Sequence, residues 1–103
     1  MQELTAARIY VLEDQRRDHN ALTEEIFSRL HADHQIMGAT QYRAISGFGS
    51  DGILHGANLT HINSRLPIVI EFFDTSVVVQ KALLWIRELV DSDRIVTWKL
   101  QVG

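Results

Sequence analysis

Leu66-Pro67-Ile68-Val69-Ile70-Glu71-Phe72-Phe73-Asp74-Thr75, running on through Ser76-Val77-Val78-Val79 to Val90, decides how this chain folds. From Leu66 to Phe73, Ile68, Ile70 and Phe72 alternate with Val69, Glu71 and Phe73. Alternation at period two marks a strand, and apolar residues on both sides mark a central one. Pro67 fits only at its start, where a missing N–H is tolerated. From Thr75 to about Val90 the period changes. Val79, Ala82, Leu83, Ile86, Leu89 and Val90 share one helical stripe, which Asp74 or Thr75 can cap. The Val77-Val78-Val79 run alone suggests a strand, but the later spacing outvotes it.

Working outward, Ala7 to Glu13 is β-branched and aromatic and reads as a first strand. Asn20 to about His34 reads as a helix with Leu22, Ile26, Phe27 and Leu30 on its stripe, capped by Asn20 or Asp18. Gly38 to Ile45 is a second strand. Arg94 to Val102 is the last, with Val96, Trp98, Leu100 and Val102 on one face. The order β-α-β-β-α-β, with right-handed crossovers, predicts an α+β, ferredoxin-like sandwich. Its four-stranded antiparallel sheet carries both helices on one face. Tyr10 and Leu12 lie on one side of the first strand and Ile9 and Val11 on the other. A sheet with one covered face alternates more cleanly, so the second face is expected to pack on another copy of the chain, with Trp98 and Tyr10 between copies.

The 103 residues make one domain, residues 1–103. Hydrophobic residues at 46% and charged residues at 22% exclude a disordered chain. Cysteine is absent, which removes disulfides, thiolate metal sites and a cysteine nucleophile. Ten Lys+Arg against thirteen Asp+Glu argue against a general nucleic-acid binder. No apolar stretch approaches the ~18 residues of a membrane span. Met1-Gln2-Glu3-Leu4-Thr5 does not read as a secretory signal. The expectation is a soluble cytoplasmic protein.

Between the second and third strands lie Ser46 to Arg65, long for a connection in a small domain. This loop opens with Gly47, Gly49 and Gly52 in a G-x-G-x-x-G pattern. A dinucleotide fingerprint needs a helix after the glycines, and here a strand follows, so that reading is rejected. Two uses remain. The glycines either serve the turns of a flexible hairpin, or they permit positive φ and let backbone N–H groups approach an anion.

Gly38-Ala39-Thr40, Arg43 to Gly49, Gly52-Ile53-Leu54-His55, Leu66 to Glu71 and Asp74 resemble the PII-like family known as domain of unknown function 190. Glu13-Asp14 also matches, and the resemblance runs from about Arg8 to Val102. It implies a homotrimer related to nitrogen regulatory PII proteins and a role in regulating membrane transporters such as ion exporters. PII relatives bind adenine nucleotides in clefts between subunits at the base of this loop. Carried over to matching positions, that implies Gly47, Phe48, Gly49, Gly52 and His55 as ligand contacts. The family commonly has Gly-x-Pro-Leu where this chain has His19-Asn20-Ala21-Leu22. The loop also lacks the modifiable tyrosine of true PII proteins, so uridylylation is not carried over.

Each candidate also has a plainer reading. Arg43 can pair with a phosphate as a bidentate donor or stand as a solvated strand residue. Phe48 can stack on a base or plug a subunit interface. His55 can contact the ligand or only order the loop. Glu13 and Asp14 either make local charge pairs beside Arg16 and Arg17 or reach a neighbouring subunit's loop. His31 and His34 can share a helix face, but two ligands make a poor metal site. Glu71 and Asp74 are spaced for acid–base work, yet Asp74 is more simply a cap, and no hydrolase motif is present. The strand from Ile68 to Phe73 lacks the basic and aromatic interleaving of an RNA-binding module. The expectation is a non-catalytic regulator that takes a small-molecule effector, an adenine nucleotide, with no certain cofactor. The alternative is a trimeric metal-binding protein of the divalent-cation-tolerance type.

Overall fold

The β-branched run at Leu66 to Phe73 does become a central strand. A computed structural model, which describes residues 3–56 and 65–103, orders its main elements as follows. Strand β1 is Leu4–Leu12, and a small hairpin follows, β2 at Arg16–Arg17 and β3 at Asn20–Ala21. Helix α1 is Leu22–Ala32 and strand β4 is Gly38–Arg43. A second small hairpin pairs β5, Ser46–Gly47, with β6, His55–Gly56. Strand β7 is Pro67–Thr75, helix α2 is Ser76–Ile86, and β8 is Ile95–Leu100 after a 3-10 turn at Ser92–Arg94. The four long strands form one antiparallel sheet in the order β4-β7-β1-β8. This is the ferredoxin-like order expected from the alternating elements.

Pro67 stands at the first position of β7, as its missing N–H requires. Ile70 pairs with Ile9 and Phe72 with Ala7 across the β7–β1 ladder. Those residues, with Val11 and Ile68, form the face on which the helices lie. Ile26 and Leu30 of α1 and Val79, Leu83 and Ile86 of α2 complete a dry core. Phe72, Ile9, Ile70, Ile26 and Leu83 are among its fully buried side chains.

The helix ends differ from expectation, for local reasons. Asp18 and His19 take positive φ, 49° and 71°, as the two-residue turn of the β2–β3 hairpin. Asp18 and Asn20 are thus spent on a turn. Helix α1 starts after Ala21 with no side-chain cap, and the Leu22 N–H is taken by the Gln15 carbonyl at 3.0 Å. Asp33 already caps the C-terminus of α1 in extended conformation, so His34 lies beyond the helix and does not share its face with His31. In α2 the cap is Thr75, whose hydroxyl accepts from Val78 N. Asp74 instead is buried and accepts from Met37 N at 3.0 Å and Thr75 N at 2.6 Å, tying the entry of β4 to the end of β7. The stripe predicted to Val90 leaves the α-helix at Ile86, and looser turns carry Val90 into the core.

Among the described residues, no helix lies on the opposite sheet face. In register it presents Ala6, Arg8 and Tyr10 beside Trp98 and Val96 on one flank, and beside Phe73, Glu71 and Val69 on the other. Arg8 Nε and Nη2 donate to Glu71 Oε1 at 3.0 and 2.7 Å, and the Arg8 guanidinium stands 4.8 Å from the Trp98 ring centroid. The Tyr10 hydroxyl and the Glu71 carboxylate both push the Arg8 pKa above the ordinary guanidinium value, so this residue keeps its charge. Tyr42, Val96 and Trp98 remain exposed around that pair. Among the described residues, no helix is long and apolar enough to cross a membrane.

Candidate functional site

The loop after β4 is shaped by its glycines and by an Asx turn. Ala44 N donates to Pro67 O at 2.8 Å and holds the start of the loop to the start of β7. Ser46 then pairs with Gly56, and Gly47 with His55, in the β5–β6 hairpin. At the tip Gly52 N donates to Gly49 O at 3.0 Å, and Ile53 N donates to Asp51 Oδ1 at 2.9 Å. Of the three glycines in the pattern, only Gly52 uses the left-handed region, at φ +73°. Gly47 serves another need: a Cβ there would meet Pro67 Cγ at 3.1 Å. Positive φ is therefore not the shared reason for the glycines.

A cavity of ≈ 330 Å³ opens at the base of this hairpin. One wall is the end of β1, with Tyr10, Val11 and Leu12, and the start of β7, with Pro67 and Val69. The hairpin supplies the facing wall, in which Gly47, Phe48, Gly49 and His55 all take part. Four of the residues singled out in the sequence thus meet at one concave place. Gly52 stands at the tip, away from the lining.

Arg43, Glu13 and Asp14 also lie outside the lining, and they engage one another and the loop ends. Arg43 Nε and Nη2 donate to Glu13 Oε2 at 2.9 and 2.8 Å. Glu13 Oε1 accepts from Leu66 N at 3.3 Å, and Glu13 N donates to Leu66 O at 3.0 Å. Asp14 pairs with Arg65 at 2.6 Å. The acidic pair at the end of β1 therefore clamps both the entry and the exit of the loop within its own chain. Of the two readings open for Glu13 and Asp14, the pairing is local, but among the described residues it is made with Arg43 and Arg65 and not with Arg16 or Arg17; Arg17 pairs with Glu25 of α1 at 2.7 Å. Residues 57–64, the remainder of the loop predicted over 46–65, lie outside the described residues.

Sequence reasoning missed the two charged residues of the lining, Asp93 and Arg94. They sit in the turn before β8, a little under forty residues after the hairpin ends at Gly56, although the sequence pattern starts the last strand at Arg94. No local pattern marks them; only the antiparallel pairing of β8 with β1 brings them to the cavity. Ser50 Oγ donates to Asp93 Oδ2 at 3.4 Å. A Cβ on Gly49 would stand 3.9 Å from both terminal nitrogens of Arg94. Among the described residues, no group of three or more His, Asp or Glu stands together as metal ligands would.

A family model described as DUF190, Uncharacterized ACR, matches residues 4–102. Among solved structures, the chain is similar to the crystal structure of the divalent ion tolerance protein CutA1 from Ehrlichia chaffeensis. The TM-score is 0.65 at 15% identity, over 100% of this chain and 86% of that one. At that identity the likeness carries the fold and not the function.

Proposed function

The chain belongs to the DUF190 family of PII-like proteins, and we propose from that premise that it is a non-catalytic, homotrimeric regulatory protein. It senses a small anionic ligand, an adenine nucleotide, and passes its state to a membrane transporter. The observation that carries this reading is the ≈ 330 Å³ cavity between the sheet and the base of the hairpin. That volume falls at the low end of the ~300–1,000 Å³ of small-molecule sites. Gly47, Phe48, Gly49 and His55 contact the ligand, while Glu13, Asp14 and Arg43 hold the loop ends around it. Gly52 makes the tip turn.

The hairpin is the element that responds. Phe48 is 74% exposed, and Ile53 and Leu54 stand exposed near it. A ligand seated at the base orders the hairpin, and the apolar tip is what a transporter would bury. The bare sheet face around Arg8 and Trp98 supports self-association, because apolar groups of this extent are usually covered. The competing reading, metal binding, draws on a fold likeness to a protein whose title names divalent ion tolerance.

Calorimetric titration of AMP, ADP, ATP and cyclic nucleotides, set beside copper and zinc, tests the proposal. Saturable nucleotide binding by a protein of trimeric mass in light scattering is expected. Tight metal binding with no nucleotide signal, or a monomer at micromolar concentration, overturns it.

A further inference from the structure

Within that reading, and resting on it, we propose that the cavity selects a nucleotide bearing one phosphate group, held by Arg94, and that Asp93 excludes longer phosphate chains. The ligand class is a nucleoside monophosphate, open or cyclic.

The charges at the cavity carry the argument. Arg94 is the one Lys or Arg among the described residues of the lining. No carboxylate of the described residues lies within salt-bridge distance of it. Arg43, the cation that the sequence pointed to, is spent on Glu13 with two donors and stands outside the cavity. The guanidinium of Arg94 stands beside Gly49, where a Cβ would lie 3.9 Å from both its terminal nitrogens, and among the described residues those nitrogens donate to no side chain or carboxylate. A planar fork with open donors matches a phosphate in bidentate geometry.

The same geometry limits the charge that can enter. Asp93 lines the cavity beside Arg94, with its carboxylate 3.4 Å from the Ser50 hydroxyl of the hairpin. A second or third phosphate would gain no further Arg or Lys from the described lining and would meet this carboxylate. Repulsion against the wrong ligand is as effective a source of selectivity as attraction for the right one. The remaining wall is apolar, with Val11, Leu12, Pro67 and Val69. It offers a flat base a dry surface, with Tyr10 as an aromatic neighbour.

The test is calorimetric titration of the full chain with AMP, ATP and adenosine, repeated on Arg94→Ala, Asp93→Asn and Arg43→Ala. Circular dichroism and light scattering check that each variant is folded and of wild-type mass. Wild type is expected to bind AMP at least about tenfold more tightly than ATP. Arg94→Ala should lower AMP affinity about 10–100-fold, toward that of adenosine, as loss of a hydrogen-bonded charge pair does. Should Arg94→Ala fail to fold, Arg94→Lys serves: it keeps the charge, loses the fork, and is expected to lose about tenfold. Asp93→Asn should raise ATP affinity several-fold and AMP affinity by less, narrowing the preference for AMP, while Arg43→Ala should leave the AMP-to-adenosine ratio unchanged. ATP binding as tightly as AMP, or an Arg94→Ala protein with unaltered AMP affinity, overturns the inference and leaves the nucleotide site standing. No binding of any adenine compound overturns the nucleotide reading itself.

Discussion

Replacing Glu13 by alanine should loosen the loop at both ends at once. The substitution removes the carboxylate that accepts two donors from Arg43 and the Leu66 N–H. The ion pair is partly solvated, with side-chain exposures of 28% for Glu13 and 60% for Arg43. It is therefore worth about 0.5–1 kcal/mol, the upper part of the range for exposed pairs. The contact to Leu66 N is long at 3.3 Å, and water can replace it, so it adds about 0.5 kcal/mol. The sum is about 1–1.5 kcal/mol, or a drop in Tm of about 4–8 °C for a domain of this length. Scanning calorimetry at low and high salt measures it. The ionic part shrinks as the Debye length falls, so the deficit should narrow in ~1 M salt. Glu13→Gln keeps an acceptor for Leu66 and should lose about half as much. A double-mutant cycle with Arg43→Ala should return a coupling of about 0.5–1 kcal/mol. A Glu13→Ala protein whose Tm stays within about 1 °C of the parent, with no coupling to Arg43, refutes the clamp.

Further outcomes follow from the same geometry. Phe72→Ala, at a fully buried position of the central strand, should cost about 3–5 kcal/mol in urea unfolding. Val96→Asp on the bare sheet face should lower the light-scattering mass from three times the 11.8 kDa chain toward a single one, while secondary structure is kept. Gly49→Val should place methyl groups against the Arg94 guanidinium, abolishing nucleotide binding in calorimetry and leaving the assembly intact. Gly52→Ala meets no atom within 4 Å but holds a φ of +73°, so thermal melts should show a loss of about 1 kcal/mol with no steric component.

The two central strands were legible because their apolar alternation and the helix stripes point to one core. Period-two apolar residues at Ile68, Ile70 and Phe72 and at Ile9 and Val11 had only one compatible packing, with helices of matching stripe between them. Element ends were less legible. Asp18 and Asn20 look like caps to any reading of propensity, yet the β2–β3 turn uses them first, and the backbone carbonyl of Gln15 takes the helix's leading N–H. Of the site, the hairpin lining was legible because Gly47, Phe48, Gly49 and His55 are close in sequence. The partner of Arg43 was not, because Glu13 lies thirty residues away, and charge pairing carries no periodicity. Arg94 stayed hidden for a stronger reason: its place at the cavity depends on the register of β8 against β1, a long-range pairing that no window of sequence contains.

Amide hydrogen exchange, read by mass spectrometry with and without saturating AMP, tests most directly whether the hairpin-base cavity is a ligand site. Protection should rise at least about threefold in the hairpin, Ala44 to Gly56, and in the turn at Ser92–Arg94, with the core of β7 and α2 unchanged. Exchange that is unaltered in the hairpin and this turn at saturating AMP, or protection that appears only elsewhere on the chain, would contradict the account.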